Sequence, residues 1–177
     1  MSLQIFILGM LCEGEHHPYD MKKMLLKPLE NAISINDGTL YYNFEVLHKK
    51  GYIEKKQVVQ SENRPERTTY GITDKGREAL ENEIYSAFQN VTSVLSLYSS
   101  LMFLDKVNPH KLAFILEEVI AKRERNLEQV ELANLGLPGV PENKKEAVRL
   151  VVDHAGQALK QDVEWLKKLL VYVRGLQ

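Results

Sequence analysis

The chain has 177 residues, 44% of them apolar and 27% charged, with a formal net charge of −1 and a single cysteine. That composition excludes collagenous and intrinsically disordered classes, and one thiol excludes an internal disulfide. No apolar run reaches the roughly eighteen residues of a membrane span, and Leu3–Cys12 lacks the basic flank and cleavage site of a signal peptide, so the expected location is cytoplasmic.

Helical spacing opens the chain. Ile5, Leu8 and Cys12 recur at i, i+3 and i+7, and Gly14 is placed to end that helix. A second helix is expected from His17–Pro18, with proline at the first helical position, where its missing N–H costs nothing. It turns Met21, Met24 and Leu25 inward and ends near Pro28. A third begins after Asn36–Asp37–Gly38, carries Leu40, Phe44 and Leu47 on its inner face, and stops at Gly51.

Beyond Gly51 the pattern changes. Tyr52 to Gln60 is rich in Tyr, Ile and Val, Ser61–Pro65 reads as a loop, and Thr68, Tyr70 and Ile72 alternate with Arg67, Thr69 and Gly71. Three short helices and a hairpin form the layout of a winged helix-turn-helix. From Thr73 onward three long helices are expected. The first steps through Leu80, Ile84, Phe88, Val91, Leu95, Tyr98 and Met102. The second is capped by Asn108–Pro109 and carries Leu112, Leu116, Val119, Leu127 and Val130. A turn at Leu137–Pro141 leads into the last, with Val148, Val152, Ala155, Leu159, Val163, Leu166, Leu170 and Val173 in threes and fours. Such a seam calls for partner helices, and a second copy is the economical source, the alternative being a monomeric three-helix bundle. The fold class expected is therefore mainly α, with a winged helix-turn-helix head at residues 1–76 and an antiparallel helical dimerisation region at 77–177.

On the third helix the sector opposite Leu40, Phe44 and Leu47 holds Thr39, Tyr42, Glu45, Val46 and Lys49, flanked by Tyr41 and His48 on one side and Asn43 and Lys50 on the other. A helix in a major groove presents mainly its N-terminal residues to base edges, which nominates Asn36, Thr39, Tyr42 and Asn43. Asparagine can pair with adenine, and threonine offers a hydroxyl and a methyl to thymine. Lys49 and the wing arginines Arg64 and Arg67 would hold phosphates. The local surplus of base over acid from Lys49 to Arg67 is three, six against three, within a first 75 residues that balance at ten each. A surplus of that size also fits a solvated face.

No enzyme constellation can be assembled. His16, His17, His48, His110 and His154 are scattered, and Gly14 interrupts the i, i+4 spacing of Cys12 and His16. No glycine-rich phosphate loop, Gly-x-Ser-x-Gly elbow or His-Glu-x-x-His occurs. Neither catalysis, a cofactor nor a metal is expected, and Cys12 reads as a small core residue.

The head resembles the PadR-like transcriptional regulators. The resemblance is carried by Leu11-Cys12-Glu13-Gly14, by Tyr19 opening the second helix, by Gly38-Thr39-Leu40-Tyr41, by Lys50-Gly51-Tyr52-Ile53, and by Arg67-Thr68-Thr69-Tyr70-Gly71-Ile72-Thr73-Asp74-Lys75-Gly76. It covers roughly residues 3–80, and the remainder is similar only in architecture. The chain departs from the family at Pro18, Asp37, Tyr42, Glu45, Val46 and Thr68, which leaves its reader helix less basic than in relatives. The resemblance implies a homodimeric repressor on double-stranded DNA bearing an inverted repeat, with Tyr41 a phosphate contact and Arg64 and Arg67 in the wing. Because several relatives bind aromatic compounds near their dimer-forming helices, it also implies a possible small aromatic effector. Trp165, Met102 and Phe103 are the candidates to line that site, against the plainer reading of Trp165 as an interface or core anchor and of Met102 and Phe103 as core. The alternative to a DNA reader is a winged-helix protein-interaction module, favoured by an outward Tyr42 and Val46 with few arginines nearby.

Overall fold

The structure is a computed structural model that describes residues 2–24, 36–61, 64–134 and 139–176. It is mainly helical with one two-stranded antiparallel sheet, and it divides into two compact units, Met1–Val107 and Asn108–Gln177.

The first unit is built around α1 (Leu3–Glu13). Ser2 caps it, its hydroxyl accepting from the Ile5 N–H at 3.3 Å. Ile5, Phe6, Ile7, Leu8, Gly9 and Leu11 are all buried, so the helix is apolar nearly all round and forms the core rather than covering it. Cys12, expected in the core, is half-buried at its edge, and burial pushes its thiol pKa up. Then come α2 (Pro18–Met24) and α3 (Asp37–Lys49). Met21 is buried as expected, whereas Met24 at the end of α2 is exposed. Leu25 and the helix end near Pro28 lie outside the described residues.

Strands β1 (Ile53–Ser61) and β2 (Arg64–Ile72) pair from Ile53↔Ile72 to Ser61↔Arg64, with register shifts between Lys55 and Val58 and between Val59 and Ser61. The strands are longer than the residues suggested. Ser61, Arg64 and Pro65, expected in a loop, belong to strands instead, because the shifts let pairing continue past the irregular stretch. His16 adds a one-residue bridge to the outer edge of β2, exchanging both backbone hydrogen bonds with Tyr70 at 3.0 and 3.1 Å.

Helix α4 (Asp74–Gln89) follows, and here the expected long helix to Met102 does not form. The chain breaks at Asn90 and continues as a 3₁₀ turn (Val94–Leu97), the short α5 (Tyr98–Leu101) and a second 3₁₀ turn (Leu104–Lys106). Side chains in the break bond the backbone locally. Asn90 donates to the Ser86 carbonyl at 3.0 Å, Ser93 accepts from the Leu95 N–H, and the Ser96 hydroxyl donates to the Ser93 carbonyl. Such bonds compete with helix continuation, so the apolar steps through Leu95 and Met102 were helical in spacing only. The freed segment folds back on the head instead, burying Leu97, Ser99, Phe103 and Leu104. The Ser99 hydroxyl accepts from the Ser2 N–H, and Lys106 pairs with both Glu13 and Asp105. The first unit therefore extends well past residue 76.

The second unit is a helical hairpin of α6 (Pro109–Asn134) and α7 (Lys145–Arg174), preceded at α7 by a 3₁₀ turn at Glu142–Lys144. Asn108 caps α6, accepting from the N–H groups of His110 and Lys111. The expected turn at Leu137–Pro141 falls partly outside the described residues, and Gly139 in it takes φ +82°. The pair is zipped at one end by Leu112, Leu116, Val119, Val163, Leu166 and Val173, all buried. Leu169 is buried where Leu170 was expected, and Leu170 is half-buried. Three ion pairs cross the hairpin, Glu117–Arg174, Glu124–Lys167 and Arg123–Asp162. Towards the other end Leu127, Val130, Val148, Val152 and Leu159 are only half-buried, Ala155 is exposed, and Leu132, Leu150 and Val151 face outward. Among the described residues, no helix is long and apolar enough to cross a membrane.

One close approach in the first unit is informative. The Phe103 ring lies directly on Gly9, so that a Cβ there would overlap the ring. Alanine in mid-helix normally gains about 1 kcal/mol over glycine, but overpacking a core costs about 1–3 kcal/mol. Gly9→Ala is expected to lower stability despite its better propensity. Urea unfolding should show a lower midpoint with an unchanged slope, and a raised midpoint would mean that Phe103 does not pack there.

Candidate DNA-reading surface

Helix α3 is fixed at both ends by bonds its own sequence supplies. At its start Asn36 caps it, the side-chain carbonyl accepting from the Thr39 N–H at 2.7 Å. Asp37 reaches back to Lys22 of α2, also at 2.7 Å. At its end Gly51 takes φ +73°, a conformation glycine adopts without strain. The Gly51 N–H donates to the His48 carbonyl, and the Tyr52 N–H to the Leu47 carbonyl. These two bonds make a Schellman termination.

The carbonyls just past that termination are held in turn by Thr73, the N-cap of α4. Its N–H donates to the Tyr52 carbonyl at 3.0 Å, and its hydroxyl lies 2.8 Å from the Gly51 carbonyl and 3.1 Å from that of Tyr52. The same hydroxyl accepts from the Gly76 N–H. Gly76 sits so close that a Cβ would collide with the Tyr52 carbonyl and with Ile72. The Lys75 ammonium donates to the Lys50 carbonyl at 2.8 Å and, together with that of Lys50, lies near the Tyr52 ring. Thr73-Asp74-Lys75-Gly76 is thus the joint that sets the end of α3 against the start of α4.

The inner face of α3 buries Leu40, Phe44 and Leu47 as expected. Tyr70 of the wing packs its ring on Phe44, with centroids 5.0 Å apart, and edge-on to His48. Nδ1 of His48 also meets the Ile53 carbonyl at 3.0 Å, so the helix is seated on the base of the hairpin.

The outer face is what this framework presents. Tyr42 is 65% exposed and Tyr41 45%, and Thr39, Glu45 and Lys49 are exposed beside them. Asn43 is half-buried and donates its amide to the Thr39 carbonyl at 2.8 Å. Asn36 and Asn43 therefore each commit one amide atom to the helix backbone, and Asn36 is a cap as well as a candidate reader. The structure brings Asn36, Thr39, Tyr41, Tyr42, Asn43 and Lys49 onto this one helix. Arg64 and Arg67 stand on β2 of the wing, with side chains outside the described residues. Of the effector candidates, Phe103 is buried on Gly9 and Met102 is half-buried beside it in sequence, both in the first unit, and Trp165 is half-buried on α7 of the second. Among the described residues, no group of three or more His, Cys, Asp or Glu side chains is arranged to hold a metal.

Sequence reasoning did not single out the Thr73 joint or the Lys22–Asp37 pair. A threonine before Asp-Lys-Gly at a helix start is a capping signal that could have revealed the first. The second joins residues separated by a stretch of chain, and no local pattern announces it.

Burial raises the Tyr70 phenol pKa above its ordinary value of 10.0, helped by the negative charge of Glu45 and, less, by Tyr41. A phenol that holds its proton more tightly in the folded state contributes stability that is complete below the unfolded pKa and is lost as pH rises through the folded one. Tyr70 should accordingly be among the last tyrosines to ionise. Titrating tyrosinate absorbance in the wild type and in Tyr70→Phe should remove a late component and flatten the alkaline loss of stability. A late component that survives in the variant would assign it to another phenol.

Residues 7–82 match the sequence model of the transcriptional regulator PadR-like family. Among solved structures, the chain is similar to Bacillus subtilis PadR in complex with operator DNA, at 21% identity over 97% of this chain and 98% of that one, TM-score 0.43. It is similar also to Bacillus subtilis PadR in complex with p-coumaric acid, at 19% identity over 97% and 98%, TM-score 0.38. A transcriptional regulator from Clostridium thermocellum, Cth-833, shares 27% identity over 48% of this chain and 78% of its own, TM-score 0.42. No curated protein matches. The match to the transcriptional regulator PadR-like family is carried by residues 7–82, which hold helix α3, the wing and the joint at Thr73.

Proposed function

We propose that this transcriptional regulator is a repressor that binds an inverted-repeat operator on double-stranded DNA as a homodimer. The single observation that carries the reading is the outer face of α3. A helix fastened at both ends and seated on a wing presents Thr39, Tyr41, Tyr42 and Lys49 to solvent, which is the geometry required to enter a major groove. Residues 1–76 would read DNA and residues 77–177 would pair the chains. The half-buried seam of Val148, Val152 and Leu159, with Leu150 and Val151 exposed, supports the pairing, because a two-helix hairpin cannot cover it alone. Two-fold symmetry would then set the reader helices about one DNA turn, roughly 34 Å, apart. Repression would follow from occupying a promoter in the cytoplasm. A small aromatic effector, for which Trp165 and Met102 are the more open candidates and Phe103 the buried one, would induce by favouring a spacing of heads that no longer fits.

A second reading, a winged helix that binds a protein partner, is favoured by the exposed Tyr42 beside Val46 on a face with few cations. Salt separates the two, since phosphate binding falls steeply with ionic strength and an apolar protein contact does not.

Selection of bound fragments from the source organism's genomic DNA at near-physiological salt should recover an inverted repeat. With that operator, Tyr42→Ala should weaken specific binding about tenfold, a loss of about 1.4 kcal/mol, and leave random DNA nearly unaffected. Arg64→Ala should weaken both by similar factors. A Tyr42→Ala isotherm superimposable on the wild type would remove Tyr42 from the reading face.

A further inference from the structure

The outer face of α3 carries two formal charges, and they cancel. Lys49 is balanced by Glu45, while Asp37 at the helix start is already tied to Lys22. A polyanion offers such a face little electrostatic gain, so discrimination there must come from directed hydrogen bonds. Glu45 is the group whose presence on that face most needs a partner. It is exposed, and it has neither a hydrogen bond nor an ion pair among the described residues. A helical side chain leans over the turn N-terminal to it, so its carboxylate covers the turn that holds Tyr41 and Tyr42.

A carboxylate carried into a DNA groove has two fates. It loses water beside phosphates without compensation, or it accepts from a base-edge donor. In the major groove only cytosine N4 and adenine N6 donate, and adenine sets the acceptor N7 beside its amine, whereas cytosine does not. In the paired duplex cytosine N4 has an acceptor on one side only, the guanine O6, whereas adenine N6 lies between its own N7 and the thymine O4, so a carboxylate meets fewer lone pairs at cytosine.

Resting on the DNA-reading function proposed above, we infer that Glu45 is a specificity-determining residue that accepts a hydrogen bond from the N4 amine of a cytosine in each half-site and penalises half-sites that lack it. It acts by attraction at one base and by repulsion everywhere else. The same group that fixes the cytosine holds down binding to unrelated sequence.

The test is selection from random duplexes with the full chain, comparing wild type, Glu45→Gln and Glu45→Ala, followed by isotherms on the selected site and on the same site with the cytosine pair replaced. The wild type should select one cytosine per half-site and lose about tenfold or more in affinity when it is replaced. Glu45→Gln should move the preference at that position towards adenine, which a side-chain amide pairs well. Glu45→Ala should relax it, and both variants should bind random DNA more tightly while the other columns of the motif stay fixed. An identical cytosine preference in all three proteins, or no cytosine in the wild-type motif, overturns the inference and leaves DNA reading intact. A wild type that enriches no sequence overturns the DNA-reading function and this inference with it, so the two failures are distinct.

Discussion

The Thr73 hydroxyl is the contact on which the reading surface depends. One oxygen touches the carbonyls of Gly51 and Tyr52 and caps the next helix through the Gly76 N–H. The Schellman termination satisfies the carbonyls of Leu47 and His48, and those of Gly51 and Tyr52 just beyond it accept from Thr73, the residue that caps α4. The end of the reader helix and the start of the helix after the wing are therefore one hydrogen-bonded joint. The hairpin between them is clamped at its base, and its direction follows from the joint and from Tyr70 on Phe44. Gly76 is needed because the two backbones approach too closely for any Cβ.

Much of the head could be read from the residues, and the reason is local. Asn36 as cap, Gly51 as stop and Leu40, Phe44 and Leu47 as the inner stripe are short-range signals that tertiary packing did not override. The face of α3 followed from the same stripe, which is why the candidate reading residues fall on one helix. The failures have a different character. The apolar steps from Leu80 to Met102 were correctly spaced for a helix, but Asn90, Ser93 and Ser96 bond the backbone locally and turn the chain. Periodicity counts apolar positions and ignores what polar side chains between them do. Phe103 shows the other limit, since a buried aromatic and a pocket wall have the same sequence signature, and its seat on Gly9 is a tertiary contact that no local pattern reports.

The two ends of the molecule's electrostatics differ in kind. In the helical hairpin, acids and bases are matched across the helices at Glu117–Arg174, Glu124–Lys167 and Arg123–Asp162. Exposed pairs of this sort contribute little individually, but they fix which residues of α6 lie opposite which of α7. On α3 Asp37 is tied to Lys22, whereas Glu45 and Lys49 on the outer face make no such pair among the described residues. With net charge near zero and a neutral outer face on α3, the proposed DNA reading would rest on a few polar and aromatic groups rather than on attraction to phosphate alone.

The burial of Phe103 against Gly9 also bears on how the molecule can be taken apart. A head cut at the end of its family motif would keep α1 but lose the residues that cover it, exposing a glycine groove and the apolar flank of the central helix. Grafting this reading surface onto another oligomerisation scaffold therefore requires transplanting the chain through Val107. The portable unit is larger than the stretch that carries the family match, because the strap that completes its core is encoded after the wing.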